Sequence, residues 1–470
     1  MNAVVRRPLI AVLMLPVLLH GLAACSNIDV VAQPDVESSE LLADFSDSTT
    51  AIPDRWWSEF SDDRLNQLIG QALENNYDLK ASLARLRQSE ALLRINSAEQ
   101  YPSVNLNGGK SRSWSENATS DSWSAGLSAS YEIDFWGAIA GNRQRAEYDL
   151  FASRAASRIQ ANTVASQVAN AWFGLLHETH LITLLEQQKQ RIESGLKVIN
   201  ARFQRGQSQV SDVWQQQTLL ESIDGDLVSA TARRDIFQQQ LQLWLASNID
   251  LGSIQQLLPS VVANHIKVSA AALFERPDVQ QAFFTVQSAN ANVAVAKANR
   301  YPRVTLSASY SGQDPSINNV FDNWVANLAG NLVLPLIDGG NRRAQVKSQQ
   351  ALLDARIADY QQVYLQAAQQ VQEVLVTLDE QQRLDTSLQR QLQLSRKTES
   401  FQTSRYRKGV GDYLSLLNAQ RDVLALERLL LNNQLNFNLT RIRLYQAVSH
   451  GRFSDVETDS QPLSQESLSL

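Results

Sequence analysis

The sequence predicts an internally duplicated, mixed α and β chain in which paired two-faced strands feed directly into paired long helices. Three observations carry this. A motif pair returns at an offset of about 200 residues, four short segments alternate apolar with polar residues, and two proline-free stretches are long enough for exceptional helices.

The duplication comes first because it organises the rest. Ala98-Glu-Gln-Tyr101-Pro102-Ser-Val104-Asn-Leu106 returns as Ala298-Asn-Arg-Tyr301-Pro302-Arg-Val304-Thr-Leu306, a spacing of 200 residues. Arg202-Phe203-Gln-Arg205-Gly206, followed by Val213-Trp214 and Gln217, returns as Arg405-Tyr406-Arg-Lys408-Gly409, followed by Leu416-Leu417 and Gln420, a spacing of 203. Self-similarity of this size means two copies of one supersecondary unit. Each half reads helix, strand, strand, long helix, turn, helix. We place the first repeat at 53–250, with strands near 102–114 and 122–135 and a helical hairpin near 138–247. A connector at 251–275 leads to the second repeat at 276–453, with strands near 302–313 and 323–336 and a hairpin near 340–449.

Each hairpin offers two faces. Trp123, Ala125, Leu127, Ala129, Tyr131, Ile133 and Phe135 alternate with Ser124, Gly126, Ser128, Ser130, Glu132 and Asp134. Val304, Leu306, Ala308 and Tyr310 alternate with Thr305, Ser307, Ser309 and Ser311, while Trp324, Ala326, Leu328 and Leu332 oppose Asn327 and Asn331. Such strands suit either a soluble sandwich solvated on one side or a membrane barrel with a wet lumen. Segment length favours the barrel, for a tilted membrane strand needs about 9–11 residues. Trp123, Tyr131, Phe135 and Trp324 then supply aromatic belts at the interfaces. Four strands do not close a barrel, and about eight leave a lumen filled by side chains. Three copies give about twelve strands with an open bore, so a homotrimer is the expected assembly.

The helices follow the strands without a break. Residues 138–205 and 341–408 lack proline, and at about 1.5 Å per residue each stretch extends on the order of 100 Å. Leu416, Val423, Leu430, Phe437 and Leu444 recur every seven residues, flanked by Leu417, Leu424, Leu431 and Tyr445. Val213, Leu220, Leu227 and Leu241 repeat the pattern, with Arg234 interrupting it. Sustained heptads hold helices in register along a supercoil, as much in a soluble coiled coil as in a channel wall. The order of elements distinguishes the two.

Arg6 and Arg7, an apolar run over 9–19, and Leu22-Ala23-Ala24-Cys25 form a secretory signal, predicted to span 1–24. A single cysteine in an exported chain forms no internal disulfide, and the tetrapeptide resembles a bacterial lipobox, which implies diacylation of Cys25. With Ser26 rather than Asp after it, the lipoprotein resemblance implies an outer-membrane address. Residues 25–52 read as a polar tether to outer-membrane lipid and 454–470 as a disordered tail. Removal of Arg6 and Arg7 leaves 40 of 42 basic groups against 48 acidic ones, net −8, which disfavours nucleic acid as a partner. No segment after the signal approaches the roughly 18 consecutive apolar residues of a membrane helix, so any span is built from strands.

Five further segments carry a family resemblance. They are Trp56-Trp57-Ser-Glu-Phe60-Ser-Asp62 with Leu65; Ala72-Leu73-Glu-Asn75-Asn76-Tyr-Asp78-Leu79; Tyr131-Glu132-Ile133-Asp134-Phe135-Trp136-Gly137; Leu334-Pro335-Leu336-Ile337-Asp338-Gly339-Gly340; and Arg405-Tyr406 with Gly409, Tyr413-Leu414, Leu416-Leu417 and Ala419-Gln420. Together they resemble the lipoprotein branch of the TolC-like outer-membrane factors, the exit channels of RND-type efflux systems. The resemblance implies four strands per protomer in a twelve-stranded trimeric barrel, continuous with a periplasmic helical tube. It implies a periplasmic adaptor and an inner-membrane pump, most often of the RND type, as partners. It places adaptor docking at the turns bearing Arg205, Gly206, Lys408 and Gly409. The family's constriction, a leucine and an aspartate one turn apart, falls on Leu414 and Asn418, and the asparagine leaves this gate without the family's charge.

Catalytic chemistry finds no motif. His177-Glu178-Thr179-His180 puts both rings on one helix face but lacks the HExxH spacing, and no glycine loop cradles phosphate. The chain is therefore expected to be neither an enzyme nor a holder of metal or cofactor. Besides small-molecule efflux driven by a partner pump, type I protein secretion uses the same kind of duct. A surface adhesion or scaffold lipoprotein is the remaining reading.

Overall fold

The computed structural model describes residue 45 and residues 53–248, 256–262 and 267–449. Cys25, the signal segment and the expected tail lie outside the described residues, as does nearly all of the tether. Among the described residues the chain forms helices α1 (Asp63–Asn75) and α2 (Tyr77–Ala98), strands β1 (Ser103–Ser115) and β2 (Ala118–Ile133), and helices α3 (Ala138–Gln204) and α4 (Val210–Leu245). The order then repeats as α5 (Ala270–Phe274), α6 (Pro277–Ala298), β3 (Arg303–Asp314), β4 (Trp324–Val333), α7 (Asn341–Arg407) and α8 (Tyr413–Val448). β4 stops at Val333 rather than near 336, because Pro335 has no N–H for the ladder.

The repeats are not separate bodies. One compact unit takes Arg85–Arg154 and Gln281–Gln362, the other the described parts of Val36–Ala84, Ala155–Gln280 and Val363–Leu470. Each therefore draws on both halves of the sequence. The reason in the first unit is strand pairing: β2 of one repeat pairs antiparallel with β3 of the next, giving the order β1-β2-β3-β4.

Register converts the alternation into faces. Asn105, Ser128, Ser309 and Asn327 form one rung across all four strands, and Ser103, Ser130 and Ser307 lie in the next. Leu106, Leu127, Tyr310 and Ala326 form a rung of the opposite, apolar face. Asn105, Ser128, Ser130, Ser307, Ser309 and Asn327 also line a hollow of about 210 Å³, so the polar face is the concave one. Large apolar side chains remain open to the surroundings on the other face, with Leu106 80% and Leu328 82% exposed. Aromatic rings gather toward its two margins. Tyr310 packs on Trp324 at 5.3 Å and on Phe321 at 6.0 Å, and Lys110 Nζ lies 4.9 Å over Trp123. At the other end of the strands Trp136 stacks on Tyr301 at 4.5 Å and donates its indole N–H to Pro302 O.

The strand-to-helix turns are built alike in both repeats. Asp134 accepts from Ala140 N at 2.7 Å, and Asp338 accepts from Gly340 N and Arg342 N. Each carboxylate thereby takes up N–H groups that a helix start leaves unpaired.

In the second unit the opening signature forms the core. Trp56, Trp57 and Phe60 are buried among Leu65, Leu68 and Ile69 of α1, Trp172 and Phe173 of α3, and Tyr445 of α8. Trp56 stacks on Tyr445 and donates to Asn162 Oδ1 at 2.9 Å. Asp62 accepts from Leu65 N to cap α1 and from Trp172 Nε1 at 2.7 Å. Asn76 and Arg276, which are 200 residues apart, play matching parts. Asn76 Nδ2 donates to Trp244 O near the end of α4, and Arg276 Nη1 donates to Ala447 O near the end of α8. Each repeat thus ties its first bend to the end of its last helix.

Replacing Asp62 by Ala removes the α1 cap and strands the buried Trp172 N–H, each at about 1–2 kcal/mol. Thermal melting of the purified protein in detergent should show a clear drop for Asp62→Ala and a smaller one for Asp62→Asn, which keeps an acceptor oxygen.

Candidate functional site

The two interhelical turns lie together in the second unit. Gly206 takes φ +71° and Gly409 φ +77°, the left-handed region that glycine enters without a Cβ penalty. Both end their helix with the same pair of bonds. Gly206 N donates to Phe203 O and Gln207 N to Arg202 O, and Gly409 N donates to Tyr406 O and Val410 N to Arg405 O. The next helix is capped by a carboxylate in each case. Asp212 accepts from Gln209 N, and Asp412 accepts from Leu414 N, Ser415 N and Ser415 Oγ. The Ser415 hydroxyl and these backbone N–H groups hold the Asp412 carboxyl below its ordinary range.

Arg205, Gly206, Lys408 and Gly409 are all exposed at these turns. Around them stand exposed Phe203, Val210, Trp214 and Val410, an apolar surface beside free cationic heads. Leu414 is 53% exposed and Asn418 is exposed as well, one helical turn apart on α8. Tyr413, Leu416 and Leu417 of the same turns face inward and are buried, so the gate candidates occupy the free face of the helix.

Three polar contacts that the sequence reading missed brace these turns, and two of them bind one turn to the other. Arg202 reaches across to Tyr406 O and lies 4.5 Å over the Tyr406 ring. Tyr413 donates its hydroxyl to Gln216 Oε1 at 2.6 Å, and Gln216 Nε2 donates to Ile192 O at 3.1 Å. Gly195 leaves room for that amide, since a Cβ there would lie 2.9 Å from Gln216 Nε2. Burial, reinforced by the charge of Asp212, raises the Tyr413 hydroxyl well above its ordinary value, so it remains a donor.

Farther along the helices Gln188, fully buried, joins two charged residues of α8. It donates to Glu427 Oε2 and accepts from Arg428. Glu427 also receives Arg191 of α3 and Arg396 of α7, and Arg428 pairs with Asp226 of α4. Burial pushes Glu427 upward, but the bonds from Arg191, Gln188 and Arg396 outweigh it and hold the carboxyl low. The signal for these contacts was a polar residue at a buried heptad position, visible in Gln216 and Glu427 but without a partner to name.

The histidine pair resolves into packing. His177 is buried, with Nδ1 3.2 Å from Glu178 Oε1 and Nε2 2.8 Å from Asn432 Oδ1, while Arg233 closes on Glu178. No group of three or more His, Cys, Asp or Glu capable of holding a metal ion occurs among the described residues. No described helix is long and apolar enough to cross a membrane.

Comparison with known proteins agrees with this geometry. The outer membrane efflux protein family matches residues 68–247 and 268–450, one match to each repeat. The cation efflux system protein CusC of Escherichia coli is 26% identical over 419 residues, covering 84% of this chain and 88% of its own. The pyoverdine export outer membrane protein OpmQ of Pseudomonas aeruginosa is 30% identical over 437 residues, covering 85% and 88%. The open-state MtrE outer membrane channel of Neisseria gonorrhoeae superposes with a TM-score of 0.82 at 24% identity, covering 91% of this chain and 98% of that one. The chain belongs to the outer membrane efflux protein family and is an outer-membrane efflux channel of the TolC-like fold.

Proposed function

We propose that the protein is the passive exit duct of a tripartite pump for small molecules. Energy comes from an inner-membrane partner of the RND type, and a periplasmic adaptor joins the two. The observation that carries this reading is the sheet: polar and apolar residues stay in register across four strands, and each hairpin passes directly into a 67-residue helix. In a trimer the concave polar faces line a wet bore and the apolar faces meet lipid. Diacylation of Cys25 anchors the amino terminus to the outer membrane.

The helical turns supply the docking end. Arg205 and Lys408 present cations, and Gly206 and Gly409 allow the tight reversal that keeps the tip narrow. Trp214 and Val410 add apolar area for the hairpin of an adaptor. Leu414 and Asn418 form the constriction, where the asparagines of three protomers hydrogen-bond across the axis without the repulsion of three carboxylates.

Purified acylated protein should run as a trimer in detergent and give small resting conductance in planar bilayers. A monomer without a pore sinks the duct reading. Leu414→Ala combined with Asn418→Ala should raise single-channel conductance, and unchanged conductance removes these residues from the constriction. Arg205→Glu with Lys408→Glu should weaken adaptor binding at least ten-fold in a pull-down titration with the purified adaptor, leaving conductance unaltered; equal binding moves the docking surface elsewhere.

A further inference from the structure

The register of the sheet allows every charge on the strands to be assigned to a face. Lys110, Arg112, Asp121 and Asp314 share the parity of Leu106, Leu127 and Tyr310, the apolar face, and Arg112 and Asp121 pair there at 2.7 Å. On the polar face β1 presents serine, asparagine and glycine, and β4 presents Val325, Asn327, Ala329, Asn331 and Val333. β2 presents Ala118, Gly126 and serines up to Ser130 and then Glu132, and β3 presents Arg303 followed by Thr305, serines and Gln313. Glu132 and Arg303 are thus the two charged side chains of the polar face within the described strands. Thr305 stands opposite Glu132, so Arg303 lies one inward position nearer the helical end of the sheet.

The two charges are not equivalent. Arg303 Nη2 donates to Asn299 Oδ1 at 3.0 Å, which draws the guanidinium toward the end of α6. Asp134, the next residue of this parity after Glu132, is occupied in capping α3. Glu132 is half-buried on the concave side and makes no side-chain hydrogen bond or ion pair among the described residues. Its carboxylate is left to face the bore.

Building on the duct reading above, we infer that Glu132 sets the ion preference of the barrel, three copies forming a carboxylate ring near the helical end of a hydroxyl- and amide-lined bore whose one other charge, Arg303, is drawn back toward Asn299. A ring of carboxylates favours cations by lowering their electrostatic barrier and raising that of anions. Serine and asparagine rungs hydrogen-bond solutes of either sign and add no net charge. The gate position, where the family resemblance leads one to expect an acid, carries Asn418 in this chain. Charge selection therefore resides in the barrel, not at the constriction.

Reversal potentials in planar bilayers under a potassium chloride gradient test this. The wild-type channel should be cation-preferring, Glu132→Gln should move the reversal potential toward zero with the trimer intact, and Arg303→Gln should move it the other way. Ser130→Glu introduced into the Glu132→Gln channel should restore cation preference, because it returns a carboxylate to the same face one inward position away. An unchanged reversal potential in Glu132→Gln overturns the ring while the duct reading stands. A folded trimer that conducts no ions overturns the duct reading, and the ring with it.

Discussion

A strand inside a bilayer must have both of its edges hydrogen-bonded, since lipid offers no partner for a bare N–H or C=O. Among the described residues, the sheet of this protomer, ordered β1-β2-β3-β4, leaves one edge of β1 and one of β4 unpaired. Everything else follows from meeting that demand. In the proposed trimer the edges close against further copies, a wall of about twelve strands results, and the alternation written along each strand becomes an outer apolar skin and an inner wet surface. A single hydrophobic-to-polar slip in register would invert the skin, which is why cross-strand rungs such as Asn105, Ser128, Ser309 and Asn327 matter more than any individual residue.

The duplication gives the helical part its own economy of means. Two hairpins of 67 and 36 residues each are started by a carboxylate cap, reversed at a left-handed glycine, and tied back at their far end by Asn76 or Arg276. The chemistry of the tie changes between copies, amide in one and guanidinium in the other, while its geometry persists. The guanidinium also pairs with Asp278 and reaches Gln370, so the second copy gains contacts that the first lacks.

Polar side chains inside the coiled helices divide by charge. The Tyr413 and Gln216 contact is neutral, and a neutral hydrogen bond contributes about 1 kcal/mol net. At Glu427 a buried carboxylate meets two half-exposed arginines, Arg191 and Arg396, together with Gln188, and each such charge-assisted bond, screened by solvent on the arginine side, contributes about 1–2 kcal/mol. The helices are accordingly fastened firmly around Glu427 and more lightly at their tips, next to the residues assigned to the constriction. Glu399, desolvated and facing both Arg191 and Glu427, has its carboxyl raised for the first of these reasons, which places a second, weaker acid beside the same hub.

Much of this was legible in the amino-acid sequence alone. Period-two alternation from Trp123 to Phe135 marks a two-faced strand because successive side chains point to opposite sides, and heptads from Leu416 to Leu444 mark a packed helix seam because 3.5 residues nearly complete a turn. The repeated Gly206 and Gly409 mark the reversals because only glycine takes a positive φ without strain. What the sequence does not contain is the pairing of residues distant along the chain. That β2 pairs with β3, that Trp172 completes the cap on α1 from 110 positions away, and that Glu132, unlike Asp134, has no side-chain partner among the described residues depend on which surfaces the folded chain brings together. Local periodicity determines what each element offers; long-range contact decides what receives it, because hydrogen bonds and burial act through space and carry no mark along the chain.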